Sequence, residues 1–338
     1  MSFWALFVLF LSSLTLTGLV RTYTLKAKII DIPNHRSSHS LPTPRGGGLA
    51  IILSFLGGTM ILFLLGIVRE NHVWAVCLPG GLVAVIGFID DNIQLSAKIR
   101  FMSHVISVVL ALYLIKKLPS LQFLNINLVL NCWWGYVLVA FVLIWFLNLF
   151  NFMDGIDGIA SVETICVAGG AASIMWLNKD ASSNAPWLIC LCVATLGFLV
   201  WNWPPAKIFM GDGCSGFLGL LLGIFALITS EKASINIWSW LILYAVFIVD
   251  ATVTLICRII RGAPFYLAHR SHAYQILSRR WGSHLKVTLA VLGINIFWLF
   301  PLAFIAARYN EYAFVAVLVA LTPLVWCAVK IGSGTGNI

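Results

Sequence analysis

Only twelve residues of this 338-residue sequence are acidic, and half of them fall in polar loops between apolar segments. The six loop carboxylates are Asp31, Asp90, Asp91, Asp154, Asp157 and Asp212. Glu163 and Asp250 lie deeper, inside apolar segments, where a carboxylate is costly and usually faces an interior site. Aspartates that converge from separate loops at a membrane rim would suit Mg²⁺, which takes one or two carboxylates and completes its shell with water and phosphate oxygens.

Two of these aspartates are adjacent at the end of one apolar segment, in the motif Gly87-Phe88-Ile89-Asp90-Asp91. Like charges side by side repel each other unless a cation or a basic group lies between them. The alternative is a solvated pair, since aspartates are common in loops and turns. The motif therefore predicts either a cation site or a solvated helix end.

A second motif spaces amide and carboxylate side chains by three residues. It reads Asn148-x-x-Asn151-x-x-Asp154-Gly155-Ile156-Asp157-Gly158. Residues three apart are neighbours at a helix end, and the glycines let the backbone approach a ligand closely. Two amides and two carboxylates there offer donors and acceptors that suit a nucleoside. An Asx-rich turn, the alternative, would not need a polar group as far back as Asn148.

A third motif places one aspartate between two glycines where an apolar segment begins. It runs from Asn202 to Gly216 and contains Gly211-Asp212-Gly213. A helix N-terminus with unobstructed amides attracts anions, and Asp212 could hold a metal ion against the same phosphate. A plain N-cap is the alternative for Asp212, although capping does not explain the two glycines.

Two basic loops add candidate phosphate ligands. In the loop after the ninth apolar segment, Arg270 and His272 could clamp a pyrophosphate, the arginine through bidentate contacts. In the first polar loop, which Pro and Gly interrupt, His39 and Arg45 could bind phosphate. The alternatives are a positive loop that sets topology and contacts lipid headgroups, and a plain connection between helices.

Apolar segments must hold these loops in place, because the sequence is 61% hydrophobic and only 10% charged, with a mean hydropathy of +0.98. This composition excludes an ordinary soluble domain and a disordered chain. A membrane helix needs about 20 mostly apolar residues. Eleven stretches qualify, near 2–20, 46–68, 73–89, 101–115, 132–150, 159–177, 187–203, 214–230, 237–257, 287–307 and 311–329. The tight turn before the last stretch leaves ten as an alternative. We predict an all-α, polytopic integral membrane protein with residues 1–338 as one domain.

The net charge of +9 indicates how the chain is oriented. With eleven spans, 15 of the 21 Lys and Arg residues fall on the side that carries the acidic motifs. The positive-inside rule therefore places those loops in the cytoplasm and the N-terminus outside. This topology and anionic partners account for the basic excess, so no nucleic-acid partner is expected. The eight cysteines are scattered without a CxxC pair, which favours helix packing over metal binding or disulfides.

Taken together, these motifs resemble the bacterial polyprenyl-phosphate N-acetylhexosamine-1-phosphate transferases. That superfamily includes the phospho-N-acetylmuramoyl-pentapeptide translocase and the WecA- and WbpL-like enzymes that start O-antigen and related polymers. The resemblance covers nearly the whole chain in motif order. Its most specific parts are Asp90-Asp91, Asn151-x-x-Asp154-Gly-x-Asp157-Gly and Phe209-Met210-Gly211-Asp212. The loop from Pro33 to Gly48 is also similar, and Asp250-Ala251-Thr252 stands where relatives carry a membrane-embedded Asp.

One stretch departs from the family pattern. Relatives carry a loop of the form Asp-Arg-x-His-x-His-His, whereas this sequence reads His269-Arg270-Ser271-His272-Ala273-Tyr274-Gln275. Only Arg270 and His272 match, and Tyr274 and Gln275 stand where two histidines would be. The departure argues against the peptidoglycan translocase and favours the O-antigen-initiating branch.

The resemblance implies a reaction at the cytoplasmic face of a bacterial inner membrane. N-acetylhexosamine-1-phosphate, of the GlcNAc, GalNAc or FucNAc type, would pass from a UDP-sugar to undecaprenyl phosphate, with release of UMP. On this hypothesis Asp212, together with Asp90 or Asp91, is catalytic and holds Mg²⁺, for which Mn²⁺ could substitute. The predicted substrate-binding residues are Asn148, Asn151, Asp154, Asp157, Asn202, His39, Arg45, Arg270 and His272. The expected partners are the UDP-N-acetylhexosamine, undecaprenyl phosphate and membrane lipids, with a homodimer as one open oligomeric state.

Three other functions are alternatives to this one. A secondary transporter would also hold intramembrane acids, but near the midplane rather than at the rim. A CDP-alcohol phosphotransferase would need an Arg after Asp157-Gly158-Ile159-Ala160, which this sequence lacks. The phospho-N-acetylmuramoyl-pentapeptide transferase of peptidoglycan synthesis stays open as an alternative within the same superfamily.

Overall fold

The computed structural model describes residues 2–33, 38, 41–93, 95–123, 126–178, 184–232, 235–264 and 269–335, without the side chain of Asn92. This part of the chain is almost entirely helical, which confirms the all-α prediction. The first eight helices are α1 (Phe3–Lys26), α2 (Leu49–Leu64), α3 (Glu70–Ile93), α4 (Ala97–Ile115), α5 (Trp133–Met153), α6 (Ile159–Leu177), α7 (Ala185–Asn202) and α8 (Asp212–Glu231). The remaining six are α9 (Ile237–Leu243), α10 (Ala245–Ile260), α11 (Ala273–Trp281), α12 (His284–Ile294), α13 (Phe300–Arg308) and α14 (Ala313–Ile331).

Short strands occur only in two antiparallel hairpins of the described chain. The strands are β1 (Ile30–Asp31) with β2 (Thr43–Pro44), and β3 (Ser120–Phe123) with β4 (Ile126–Val129). A five-residue π-helical turn, Asn295–Leu299, joins α12 to α13. Neither hairpin nor the short helix α11 was predicted, because these segments are too short or too polar to show a clear hydrophobic period.

Each of the eleven predicted apolar stretches falls on helix. Within the described residues, nine helical segments are long and apolar enough to cross a membrane, and the bent pair α9–α10 makes a tenth. Helix α2 has 16 residues and is therefore shorter than a usual span. The last two stretches are separate long helices, so the turn between them does not reduce the number.

The predicted boundaries need two corrections. Helix α3 extends to Ile93, so Asp90 and Asp91 lie in its last turns and not in the following loop. Helix α4 starts at Ala97, one turn earlier than expected, because Ser96 accepts a hydrogen bond from the Ile99 amide as an N-cap.

Helix α8 is the centre of the bundle. Almost all of its residues are buried, and it packs on α3 and α5 along most of its length. Phe217 and Phe225 on α8 both meet Phe55 of α2 edge to face, with ring centroids 6.2 Å apart. Since Asp212 is the first residue of α8, this packing fixes the position of its backbone.

A buried polar contact accompanies the sharpest bend in the bundle. Helices α9 and α10 meet at Tyr244 with an angle of 74°. The Glu163 carboxylate on α6 lies beside the Phe247 amide, in the first turn of α10, and its Oε2 accepts a hydrogen bond from Asn295 Nδ2 at 2.8 Å. A buried carboxylate thus lies next to the helix N-terminus that the break creates.

Candidate active site

Two loops meet through main-chain hydrogen bonds at the end of α8 that carries Asp212. The amides of Gly47 and Gly48 donate to the carbonyls of Phe209 and Met210, both at 2.9 Å. The Phe209 amide donates back to the Pro44 carbonyl at 2.8 Å. This pairing brings Arg45, from the first polar loop, next to the Gly211–Asp212 turn.

Helices α3 and α8 approach each other closely at the same end. A Cβ atom on Gly87 would lie 2.2 Å from the Gly213 Cα, so neither position has room for a side chain. The close approach places the last turn of α3 against the first turn of α8. As a result the Asp212 amide lies 3.4 Å from Asp91 Oδ1 and donates to it.

The Arg45 side chain contacts both the main chain and the side chain of Asp91. The guanidinium donates to the Asp91 carbonyl, and its Nη1 lies 3.7 Å from Oδ1 of the carboxylate. Arg45 is partly exposed, whereas the Asp91 side chain is buried. A guanidinium placed here can neutralise a phosphate that approaches the two aspartates.

The neighbouring Asp90 has different partners. Its Oδ2 forms an ion pair with Arg100 Nη1 of α4 at 3.1 Å, and its Oδ1 accepts the Leu95 amide at 2.6 Å. These contacts close the turn between α3 and α4. The two adjacent carboxylates therefore lie in different surroundings, and Asp91 is the one whose carboxylate contacts the start of α8 directly.

A cavity of about 200 Å³ opens beside Asp91 and Asp212. Its described lining includes five carboxylates and one arginine: Asp31, Asp91, Asp154, Asp157, Asp212 and Arg45. Burial raises the pKa of Asp154 well above its usual range, and the neighbouring carboxylates, Asp212 first, raise it further. The cavity is therefore crowded with carboxylates, and a bound cation would relieve their mutual repulsion.

Asp157 is held on three sides. Its Oδ2 lies 3.2 Å from His284 Nδ1 and accepts the Ala206 amide at 3.1 Å. Its carbonyl accepts the Thr288 hydroxyl at 2.9 Å. His284, the first residue of α12, also lines the cavity, and its Nε2 lies 3.1 Å from the Ser38 carbonyl. His284 was not predicted as a site residue, because no sequence motif surrounds it.

The side-chain amide of Asn202 forms hydrogen bonds to two loops. Its Oδ1 accepts the Gly158 amide and its Nδ2 donates to the Ile208 carbonyl, both at 3.0 Å. The residue lines the cavity but is buried. Its predicted substrate contact stays a prediction, and the contacts seen here position the loops that carry Asp157 and Asp212.

A second cavity, of about 300 Å³, lies on the other side of Asp212. Asp90, Asn148 and Asn151 line it. The Asn151 side chain hydrogen-bonds the Asp212 carboxylate, while Asn148 Nδ2 donates to the Ile144 carbonyl at 2.7 Å. Asp212 thus lies between a cavity rich in carboxylates and one that amide side chains line.

Two predicted phosphate ligands, His272 and Arg270, do not line the first cavity. His272 is buried, with Nδ1 3.4 Å from Asp250 Oδ1. Arg270 is exposed, and its carbonyl accepts the Arg279 guanidinium. His39 lies outside the described residues. The roles of all three stay predictions, and Gln275, from the same loop as His272, contributes to the cavity wall.

The residues present fit a divalent cation that the protein holds with few ligands. In the described part of the chain, no three Asp, Glu, His or Cys side chains converge closely enough to hold an ion alone. The paired carboxylates of Asp91 and Asp212 nevertheless supply the one or two protein ligands that Mg²⁺ commonly takes. The concentration of carboxylates around one arginine also leaves negative charge for a cation to neutralise.

Comparisons with known proteins identify the family of this chain. Residues 73–230 match the model of glycosyl transferase family 4. A probable undecaprenyl-phosphate N-acetylglucosaminyl 1-phosphate transferase of Bacillus subtilis is 30% identical over 301 residues, which cover 85% of this chain and 80% of that protein.

Two further relatives carry different names. A decaprenyl-phosphate N-acetylglucosaminephosphotransferase of Mycolicibacterium smegmatis is 28% identical, over 86% of this chain and 78% of that protein. A phospho-N-acetylmuramoyl-pentapeptide-transferase of Bacillus licheniformis is 29% identical, over 75% of this chain and 83% of that protein.

The fold and the acidic site define a multi-pass membrane enzyme of the phosphotransferase class. The chain belongs to the superfamily of polyprenyl-phosphate hexosamine-1-phosphate transferases, glycosyl transferase family 4, as its motifs predicted.

Proposed function

We propose that this enzyme transfers N-acetylhexosamine-1-phosphate from a UDP-sugar to undecaprenyl phosphate and releases UMP. The observation that carries the proposal is the junction of Asp91, Asp212 and Arg45 beside an acidic cavity, in a chain of this family. The reaction would take place at the cytoplasmic face of a bacterial inner membrane, where nucleotide sugars occur. The product would start a lipid-linked polysaccharide such as O-antigen.

The polar groups of the site divide into two sets on this proposal. Arg45, which lines the acidic cavity, binds the phosphate of the lipid acceptor. Asn151, Asp154 and Asp157 hold the uridine and the sugar of the donor. Phosphoryl transfer depends mainly on such positioning and on charge neutralisation, so no covalent group of the protein is required.

Asp91 and Asp212 would hold Mg²⁺ or Mn²⁺, with Asp90 as a further acid in the last turns of α3. When bound there, the ion would neutralise charge on the donor pyrophosphate. The amide of Asn151 lies beside the Asp212 carboxylate and orients it on this proposal. The Arg100 ion pair keeps Asp90 in place.

Transfer would proceed by direct attack. A phosphate monoester has its second pKa near 6, so the lipid phosphate is largely a dianion at neutral pH and needs no general base. One of its oxygens forms a bond to the sugar-linked phosphorus while the bond from that phosphorus to the oxygen of UMP breaks. The sugar keeps its anomeric bond. A phosphorylated aspartate trapped with UDP-sugar alone would overturn this mechanism.

A peptidoglycan-type activity is the second candidate, because a relative named for that reaction is about as similar as the others. A donor panel separates the two. Purified protein is incubated with undecaprenyl phosphate, Mg²⁺ and, in turn, UDP-GlcNAc, UDP-GalNAc, UDP-FucNAc and UDP-MurNAc-pentapeptide, and UMP is measured. We expect UMP with one of the three simple sugars. UMP with the pentapeptide donor alone would favour the second candidate, and lipid-independent or absent UMP would refute both.

A further inference from the structure

Tyr274 stands where the family resemblance places a histidine, and the structure gives its hydroxyl three neighbours. The side chain is buried in the first turn of α11, 5.7 Å from the His272 ring. Its hydroxyl donates to the Phe152 carbonyl at 2.9 Å. The Gly155 amide and the Gln275 side chain lie beside the same oxygen.

These contacts span the turn that carries the second motif. Phe152 lies next to Asn151, and Gly155 lies next to Asp154. A single hydroxyl therefore bridges the end of α5 and the start of the following loop. Burial, and the nearby Asp250 and Asp154 carboxylates, raise the pKa of Tyr274 well above its ordinary value, so the hydroxyl keeps the proton that it donates.

Gly155 packs directly against this hydroxyl. A Cβ atom on Gly155 would lie 2.1 Å from the Tyr274 oxygen, 3.1 Å from its Cζ and 3.3 Å from Gln275 Nε2. Any side chain at this position would displace the tyrosine. Tyr274 and Gly155 are consequently complementary in size, and a substitution at one position should alter the packing at the other.

The N-terminus of α11 is anchored by the Asp250 carboxylate of α10. Its Oδ1 accepts the Ala273 amide at 2.8 Å and its Oδ2 accepts the Tyr274 amide at 2.9 Å. Two free amides at the start of α11 are thereby satisfied by a negative charge, which is the favourable polarity at a helix N-terminus. The backbone of Tyr274 is fixed to α10 while its hydroxyl is fixed to the α5–α6 loop.

We propose that Tyr274 is a positioning residue for the transfer reaction. Its amide is bound to Asp250 and its hydroxyl contacts the Phe152–Gly155 turn. Through these contacts it holds the neighbouring Asn151 and Asp154 at the active site. This inference rests on the proposed function. A neutral hydroxyl here replaces a histidine of relatives, and it acts on the protein backbone rather than on substrate. Loss of the hydroxyl would let the turn shift and misplace the two side chains.

Reciprocal substitutions test the proposal. Tyr274→Phe should lower kcat/KM for UMP release by about 10²-fold, the cost typical of a small misplacement of positioned groups. Gly155→Ala should lower it at least as far. The double variant should recover part of the activity of Gly155→Ala, because the new methyl group then occupies the space of the missing hydroxyl. The matched control is Tyr136→Phe, which removes a hydroxyl that donates to the Lys116 carbonyl at 2.6 Å, far from the site; its activity should equal that of the wild type.

Hydrogen exchange provides a readout that does not depend on turnover. The Gly155 amide should be protected in the wild type and exchange faster in Tyr274→Phe, with the thermal midpoint of unfolding nearly unchanged. Wild-type kcat/KM in Tyr274→Phe, or a double variant no better than Gly155→Ala, would overturn the proposal. An inactive wild type would refute the proposed function instead, and the exchange measurement would then decide whether Tyr274 holds the turn.

Discussion

At the scale of single residues, the two adjacent aspartates do different things. Asp90 is bound to Arg100 and to the Leu95 amide, while Asp91 meets Arg45 and the start of α8. The sequence predicted that both belong to the site, but it left open which of them lies beside Asp212. The partners of Asp91 come from distant parts of the chain, and no local spacing reveals such pairings.

Asp212→Asn should lower the rate of UMP release by about 10²–10³-fold, the range typical of removing one group that stabilises charge in a transition state. The amide keeps the size of the side chain and its contact with Asn151, so the protein should still insert and unfold at an unchanged temperature. The rate is measured with saturating donor and lipid. Wild-type turnover in this variant would contradict the metal role of Asp212.

His284→Ala should raise the KM for the UDP-sugar by about tenfold, the equivalent of one hydrogen bond to a charged group. The imidazole holds the Asp157 carboxylate against the Ala206 amide, and without it that carboxylate can turn away from the donor. Steady-state kinetics with varied donor give the result. An unchanged KM together with a lower kcat would show that His284 acts on the chemical step instead.

At the scale of secondary-structure elements, the contact between α3 and α8 decides the geometry of the site. Gly87→Ala should cost about 1–3 kcal/mol of stability, as overpacking generally does, and should reduce activity because the two helices must separate. Gly81→Ala is the matched control, since a Cβ at Gly81 on the same helix meets nothing within 4 Å. Thermal unfolding and UMP release are measured for both. Equal effects of the two substitutions would mean that the close approach of α3 and α8 does not determine stability and activity.

The bend between α9 and α10 depends on a buried carboxylate. Glu163→Ala removes the carboxylate that accepts a hydrogen bond from the Asn295 side chain, so we expect a loss of about 1–3 kcal/mol. Glu163→Gln keeps one acceptor oxygen and should lose less. Thermal unfolding in detergent ranks the two variants. An alanine variant as stable as the wild type would show that the bend does not need Glu163.

Most elements could be predicted from the sequence, whereas their interruptions could not. Hydropathy alone located all eleven apolar stretches, because a membrane helix must be long and apolar. It gave no sign of the 74° bend at Tyr244 or of the π-helical turn at Asn295, since both residues lie within continuous apolar stretches. The acids that lie beside such breaks come from other helices, so the break and its partner are tertiary features.

At the scale of the whole molecule, the described acidic motifs meet at one end of the bundle, as the loop assignment predicted. The side of the membrane that this end faces, and the single-domain organisation, stay predictions. The sequence predicted four of the five aspartates that line the acidic cavity as site residues, and their roles stay predictions. The missed members of the site, His284 and the Tyr274 hydroxyl contacts, depend on packing between α5, α11 and α12.

Cysteine labelling tests the orientation. Lys98 and Lys117 are exposed near opposite ends of α4, so each is replaced by cysteine in a variant that lacks the eight native cysteines. A membrane-impermeant thiol reagent added to intact cells should label Lys117→Cys. It should label Lys98→Cys only in inverted vesicles. The reverse pattern would place the active site outside the cell.

The central claim is that the phosphate nearest the sugar moves with the sugar to the lipid. The most direct test uses UDP-N-acetylhexosamine labelled in its β-phosphate, incubated with the protein and Mg²⁺ with and without undecaprenyl phosphate. We predict that the label appears in the lipid fraction in equal amount to the UMP released, and only when the lipid is present. Label that stays in released UDP, or UMP that forms without the lipid, would contradict the account.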